Sequence, residues 1–154
     1  MKRNTLLVAL ALCFFGLATC FAEDPSIGTW KLNEAKSNVP AGAMKNSTVV
    51  YMQQGDKIKC VTDGIVGTDT PLHIEWTGKF DGKDYPLIGD SESDTRSYKK
   101  IDDHTLELIN KKNGQVTVRA QIVYARNFKT RTMTTVAIGD DGKKIITHAV
   151  YDKE

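Results

Sequence analysis

Six side chains of this sequence have the chemistry to hold a small ligand: Tyr51, Trp76, Arg96, Tyr98, Tyr124 and Tyr151. Five are aromatics with a polar tip, at strand positions that could point inward. Such groups suit an amphipathic molecule, because the ring covers apolar surface while the hydroxyl or indole N–H fixes one polar point. The face of Arg96 is ambiguous from its spacing to Tyr98. The same aromatics would equally suit a filled core in which each hydroxyl finds a partner, and the sequence leaves both readings open. Arg119 falls opposite the Val116–Tyr124 face and is read as outward and solvated.

No catalytic set can be selected. His73, His104 and His148 lie on separate strands or a turn, without the spacing of metal ligands, and read as surface or rim imidazoles. Asp90-Ser91-Glu92-Ser93-Asp94 resembles the first half of a calcium loop, but the pattern then needs Gly at Thr95 and Glu at Ile101. The sequence contains no phosphate-cradling Gly loop, no Gly-x-Ser-x-Gly elbow and no His-Glu-x-x-His zinc motif. The reading is a non-enzymatic protein with no catalytic residues, no metal and no cofactor.

The elements that must position the six side chains are short strands. Gly55-Asp56, Asp81-Gly82, Asn113-Gly114 and Asp141-Gly142 supply the positive φ angles of tight hairpins. Ten strands are expected between these and weaker turns: 29–32, 48–53, 57–63, 72–79, 83–87, 95–101, 105–111, 115–125, 130–138 and 144–151. Leu72, Ile74 and Trp76 alternate with His73, Glu75 and Thr77, as do Val116, Val118, Ala120, Ile122 and Tyr124 with polar neighbours, the pattern of half-buried antiparallel strands. Helical signal is confined to 33–37, with Asn33 as N-cap and Pro40 as the stop. The longer loops are expected at 64–71 and 89–94. An antiparallel sheet of ten strands must curl or split, and successive hairpins favour an up-and-down barrel, which also removes exposed edges. The expected fold is therefore all-β, an antiparallel up-and-down β-barrel of about ten strands.

Residues 1–22 read as a signal peptide. Lys2 and Arg3 precede an apolar stretch from Leu6 to Leu17, too short to span a bilayer comfortably, and a cut after Ala22 leaves small residues at the required positions. The alternative is a lipid anchor at Cys20, after Leu17-Ala18-Thr19. Residues 23–154 then form a single domain that is exported, periplasmic or extracellular. The cut takes away Lys2 and Arg3, and with them the whole net charge of +2. No basic field remains for nucleic acid. Cys60 would be the one cysteine left, so no internal disulfide forms, and it reads as a small buried apolar residue.

Gly28-Thr29-Trp30-Lys31-Leu32 in the first strand and Val150-Tyr151 in the last resemble the calycin superfamily, and within it the ten-stranded fatty-acid-binding type. The chain also resembles exported bacterial proteins of this type that share Asp81-Gly82-Lys83-Asp84-Tyr85-Pro86 and a terminal Val150-Tyr151-Asp152-Lys153. The resemblance implies a calycin-like barrel holding an apolar or amphipathic, lipid-like ligand, with Trp30 plugging the closed end. Two features depart from the fatty-acid-binding pattern. The family's helix–turn–helix lid has no room between the first two strands, where Pro40 and Gly42 interrupt the chain. The arginine two residues before the final tyrosine is here Ala149. The expected function is an exported small-molecule binding barrel, acting as a monomer without nucleic acid or a membrane span. The alternative is a filled barrel that meets a protein partner through loops 64–71 and 89–94.

Overall fold

The computed structural model describes residues 24–139 and 141–154. Residues 1–22, read from the sequence as a signal peptide, and Cys20 with them, lie outside the described residues. Ten strands form one closed antiparallel barrel: β1 (Gly28–Leu32), β2 (Gly42–Gln54), β3 (Lys57–Gly67), β4 (Thr70–Gly78), β5 (Tyr85–Ile88), β6 (Thr95–Asp102), β7 (Thr105–Lys112), β8 (Gln115–Tyr124), β9 (Thr130–Ile138) and β10 (Lys144–Lys153). Each strand pairs with its sequence neighbours, and β1 closes the ring against β10. The all-β, up-and-down architecture expected from the turn spacing is the one found. Asn113-Gly114 shows why the turns work: φ is 50° at Asn113 and 79° at Gly114, the left-handed pair that a two-residue hairpin requires.

The two ends of the barrel differ. At the end where β1 begins, residues 24–27 cross toward the core. The Trp30 indole N–H donates to Ser26 O at 2.8 Å, and Lys153 Nζ donates to Pro25 O at 3.0 Å. Trp30 is wholly buried, with Lys153 Nζ 5.4 Å from its ring centre, so the indole plugs this end. The other end is the mouth. Here the connection after β1 makes one 3-10 turn, Glu34–Lys36, capped by Asn33 Oδ1 accepting from Lys36 N at 3.2 Å. It is then held along β10: Asn38 and His148 exchange backbone hydrogen bonds, and Ser37 Oγ accepts from Val150 N at 2.9 Å. Through residue 38 the segment thus follows the wall.

One expectation is corrected. Residues 64–71 are not a loop, because β3 continues to Gly67 and β4 starts at Thr70, with Ile65 paired to Pro71 and Val66 to Thr70. Only Thr68 and Asp69 turn. Gly64 permits this rather than breaking the strand, because β2 carries a register irregularity opposite it and the backbone of Lys45 and Asn46 presses where a Cβ would stand. Gly64→Ala is therefore expected to destabilise the barrel by about 1–3 kcal/mol, since the neighbour is backbone and cannot swing aside. Equal urea midpoints for the variant and the native protein would refute this. The connection 89–94 is a loop, as expected. β5 is shorter than the sequence suggested because Asp81 accepts from Lys83 N and from the Tyr85 hydroxyl, both at 3.0 Å, which holds residues 81–84 in a turn.

Candidate ligand-binding site

All six candidate side chains are enclosed. Tyr51, Trp76, Tyr98 and Tyr151 are at most 2% exposed, Tyr124 6% and Arg96 7%. The face of Arg96, ambiguous in the sequence, is the interior. Trp76 Nε1 donates to Arg96 O at 2.9 Å, and the rings of Trp76 and Tyr98 meet edge-on at 4.8 Å. The Tyr51 and Tyr98 hydroxyls lie 3.2 Å apart, beside the buried Cys60 thiol, which is 3.8 Å from the Tyr98 hydroxyl. Burial pushes both phenols above their ordinary pKa; Tyr98 raises Tyr51 further and the Cys60 thiol raises Tyr98 further, while Arg96 and the hydrogen bond from Tyr51 offset only part of the rise at Tyr98, so both keep their protons at neutral pH.

The residue that sequence reading missed is Arg131. It is 1% exposed, on β9, directly opposite Tyr151 of β10 and Tyr124 of β8. Its guanidinium carbon stands 4.8 Å from the Trp30 ring, 4.9 Å from Tyr151 and 5.2 Å from Tyr51. Three aromatic faces stabilise the cation. Burial alone would lower its pKa, but the Tyr51, Tyr124 and Tyr151 hydroxyls turn the shift upward, and an arginine in any case keeps its proton. Yet Nε and Nη1 of Arg131 have no hydrogen-bond partner, and neither does the Tyr124 hydroxyl. No carboxylate is buried among the described residues. A desolvated cation without a counter-ion is expensive, and it is the natural place for an anion to bind. The β9–β10 register pairs Tyr151 with Arg131, so the inward Tyr151 was a signal for an inward Arg131.

The barrel is filled unevenly. Around Trp30, Tyr51, Tyr98 and Arg131 it is packed, with Phe80 and Phe128 folding in from the connections. Toward the mouth, the register carries Val118, Met133, Thr135, Ala137, Ile145 and Thr147 onto the inner face of β8–β10, and all six are only partly buried. Small side chains at Ala120, Thr135, Ala137, Thr147 and Ala149 leave this wall thin. Six of the large apolar side chains left exposed also sit in the mouth half: Met44, Val66, Ile88, Val116, Ile138 and Ile146. A separate crevice at the plugged end, between Ser26, Leu106 and Tyr124, holds about 10 Å³. That is room for one water and too small for an organic ligand.

The histidines do not join the site. His73 and His148 are exposed on the outer face, whereas Arg96 is interior, and His104 stacks on Phe128 at 4.6 Å near the β6–β7 turn. His73 Nδ1 lies 2.6 Å from Asp63 Oδ1, and Nε2 lies 3.5 Å from Glu75. Hydrogen bonds to Asp63 first, and then to Glu75, raise its pKa above the ordinary 6.5. The pairing therefore stabilises the barrel fully below the unfolded pKa and is lost as pH rises through the higher folded value. A proton NMR titration should place His73 above 6.5, and Asp63→Asn should bring it down; an unchanged value in the variant would refute the assignment.

Among the described residues, no group of three or more His, Cys, Asp or Glu is placed to hold a metal, and no helix is long and apolar enough to cross a membrane. The chain matches no family model and no curated protein sequence.

Proposed function

We propose that this protein is an exported barrel that binds a small anionic amphiphile, with the acid group against Arg131 and the apolar chain in the mouth half. The carrying observation is the buried Arg131 guanidinium, with two donor nitrogens unpartnered and, among the described residues, no buried carboxylate to offset it. The Tyr124 hydroxyl, also without a partner, would complete the head-group contacts. The small side chains of the inner wall of β8–β10, with Val118, Met133 and Ile145 beside them, supply the chain's surroundings. The likeness of the Gly28–Leu32 strand and the terminal Val150-Tyr151 to calycin barrels supports the same reading.

The test is displacement of a fluorescent fatty-acid analogue from residues 23–154 by dodecanoate and by dodecanol. Dodecanoate should bind with a Kd of about micromolar order, and dodecanol about tenfold or more weaker, because the alcohol leaves the guanidinium without its charge partner. Equal affinities, or no displacement at millimolar dodecanoate, would count against the proposal.

A further inference from the structure

We propose that the outer face of β8–β10 docks the barrel onto a bilayer surface of anionic phospholipids. The inference goes beyond the ligand reading and does not rest on it. A net charge of only +2 hides a separation along the chain. From Leu108 to Gly139 there are six basic residues and no acidic one. The register shows where these charges go. Arg131 points inward, so Val136 and Ile138 of β9 point outward, and Arg119, Val136 and Ile146 stand side by side across three strands. Two residues nearer the mouth, Ile138 pairs with Lys144. Ile138 is 57% exposed and Ile146 49%. Toward the plugged end the exposed Val123 follows, and the β8–β9 connection adds the exposed Arg126 and Lys129.

Elsewhere on the barrel, outer cations have acidic partners. Lys59 meets Glu75 at 3.0 Å, Lys79 meets Asp56 at 2.6 Å and Lys111 meets Asp84 at 2.7 Å. Among the described residues, Arg119, Arg126, Lys129 and Lys144 form no ion pair. The one carboxylate on the outer face of β8–β10 among those residues is Asp152, at the plugged end. It accepts from Asn33 Nδ2 at 2.7 Å and from the Thr130 hydroxyl at 3.2 Å. The face therefore presents protruding isoleucines between cations that no acid offsets. A second copy of this chain would set Arg119 and Lys144 against like charges. A nucleic-acid backbone would leave the isoleucines against phosphate. An anionic bilayer surface takes both, since the cations reach lipid phosphates while the apolar side chains enter the boundary between head groups and acyl chains.

The test is co-sedimentation of residues 23–154 with vesicles of phosphatidylcholine alone and of phosphatidylcholine with about one-third phosphatidylglycerol, at about 0.1 M salt. The barrel should bind the anionic vesicles about 100-fold tighter than the neutral ones. Arg119→Gln combined with Lys144→Gln should weaken that binding about 25-fold, near fivefold for each charge removed. Ile138→Ser combined with Ile146→Ser should weaken it at least about fivefold. All four side chains are exposed, so both double variants should keep the native thermal midpoint. Lys57→Gln combined with Lys99→Gln, on the outer faces of β3 and β6, should leave vesicle binding unchanged. Equal binding to the two kinds of vesicle, or an equal loss from the Lys57 and Lys99 pair, would overturn the proposal. A loss from the charge pair with none from the isoleucine pair would also overturn it, and would mark a soluble polyanion as the partner. Vesicle binding needs no occupant inside the barrel, so its failure leaves the anionic-amphiphile reading standing, and failure of that reading leaves the docking face standing.

Discussion

Arg131→Met is expected to leave the barrel folded and to weaken dodecanoate binding by about 30-fold to 1000-fold, the range for removing one partner of a desolvated charge pair. The two halves of this result separate a binding role from a structural one. Arg131 Nε and Nη1 have no hydrogen-bond partner, so the substitution breaks none there. It removes a cation from three aromatic faces at 4.8–5.2 Å, which is a loss, and removes the desolvation of an unpaired charge, which is a gain. Methionine has the length and flexibility to refill the space among Trp30, Tyr51 and Tyr151. The thermal midpoint of the variant should therefore equal or exceed that of the native protein, as when buried charges elsewhere are replaced by apolar side chains. A midpoint lowered by many degrees, with binding intact in the fraction still folded, would show that the guanidinium serves the packing and not a ligand.

Trp30→Ala should destabilise the protein by about 3–5 kcal/mol, the largest stability effect of any single substitution considered. Trp30 is 0% exposed and joins three parts of the chain. Its N–H holds Ser26 O, its ring meets Tyr124 edge-on at 5.4 Å, and its faces meet Arg131 and Lys153. A cavity at that point would admit water to the Arg131 cage from the plugged end. Because a domain of this size is stable by only about 5–15 kcal/mol in total, the variant should be near its unfolding limit at room temperature. Trp30→Phe keeps most of the apolar volume and loses the hydrogen bond, and should cost about 1–2 kcal/mol. Urea unfolding measures both, and an alanine variant within experimental error of the phenylalanine variant would refute the plug.

Much of the fold was legible because the signals that specify it are local. Alternation along 72–76 and 116–124 gave the inward faces correctly, and Tyr51, Trp76, Tyr98, Tyr124 and Tyr151 are all buried. Glycine misled at one position. Gly64 was read as the start of a loop, whereas its missing Cβ makes room for the irregular part of β2. Arg131 was passed over for a different reason. A charged residue between Thr130 and Thr132 looks solvated, since arginine is rarely fully buried without a partner. Only its pairing with Tyr151 places it inside. Asn110 was missed in the same way, and its role appears only when Arg96 is found beside it.

The sequence by itself determined the number of strands, their antiparallel order and the inward faces of 72–76 and 116–124, because turn chemistry and a two-residue period act over a few residues at a time. Only the tertiary structure decided which inward side chains meet. Arg131 of β9 is surrounded by Trp30 of β1, Tyr51 of β2 and Tyr151 of β10, and Arg96 of β6 reaches the same tyrosine pair as Arg131. These residues come from opposite parts of the chain. Their approach depends on closure of the barrel and on the side-chain volumes that fill it, and neither can be read from any one strand.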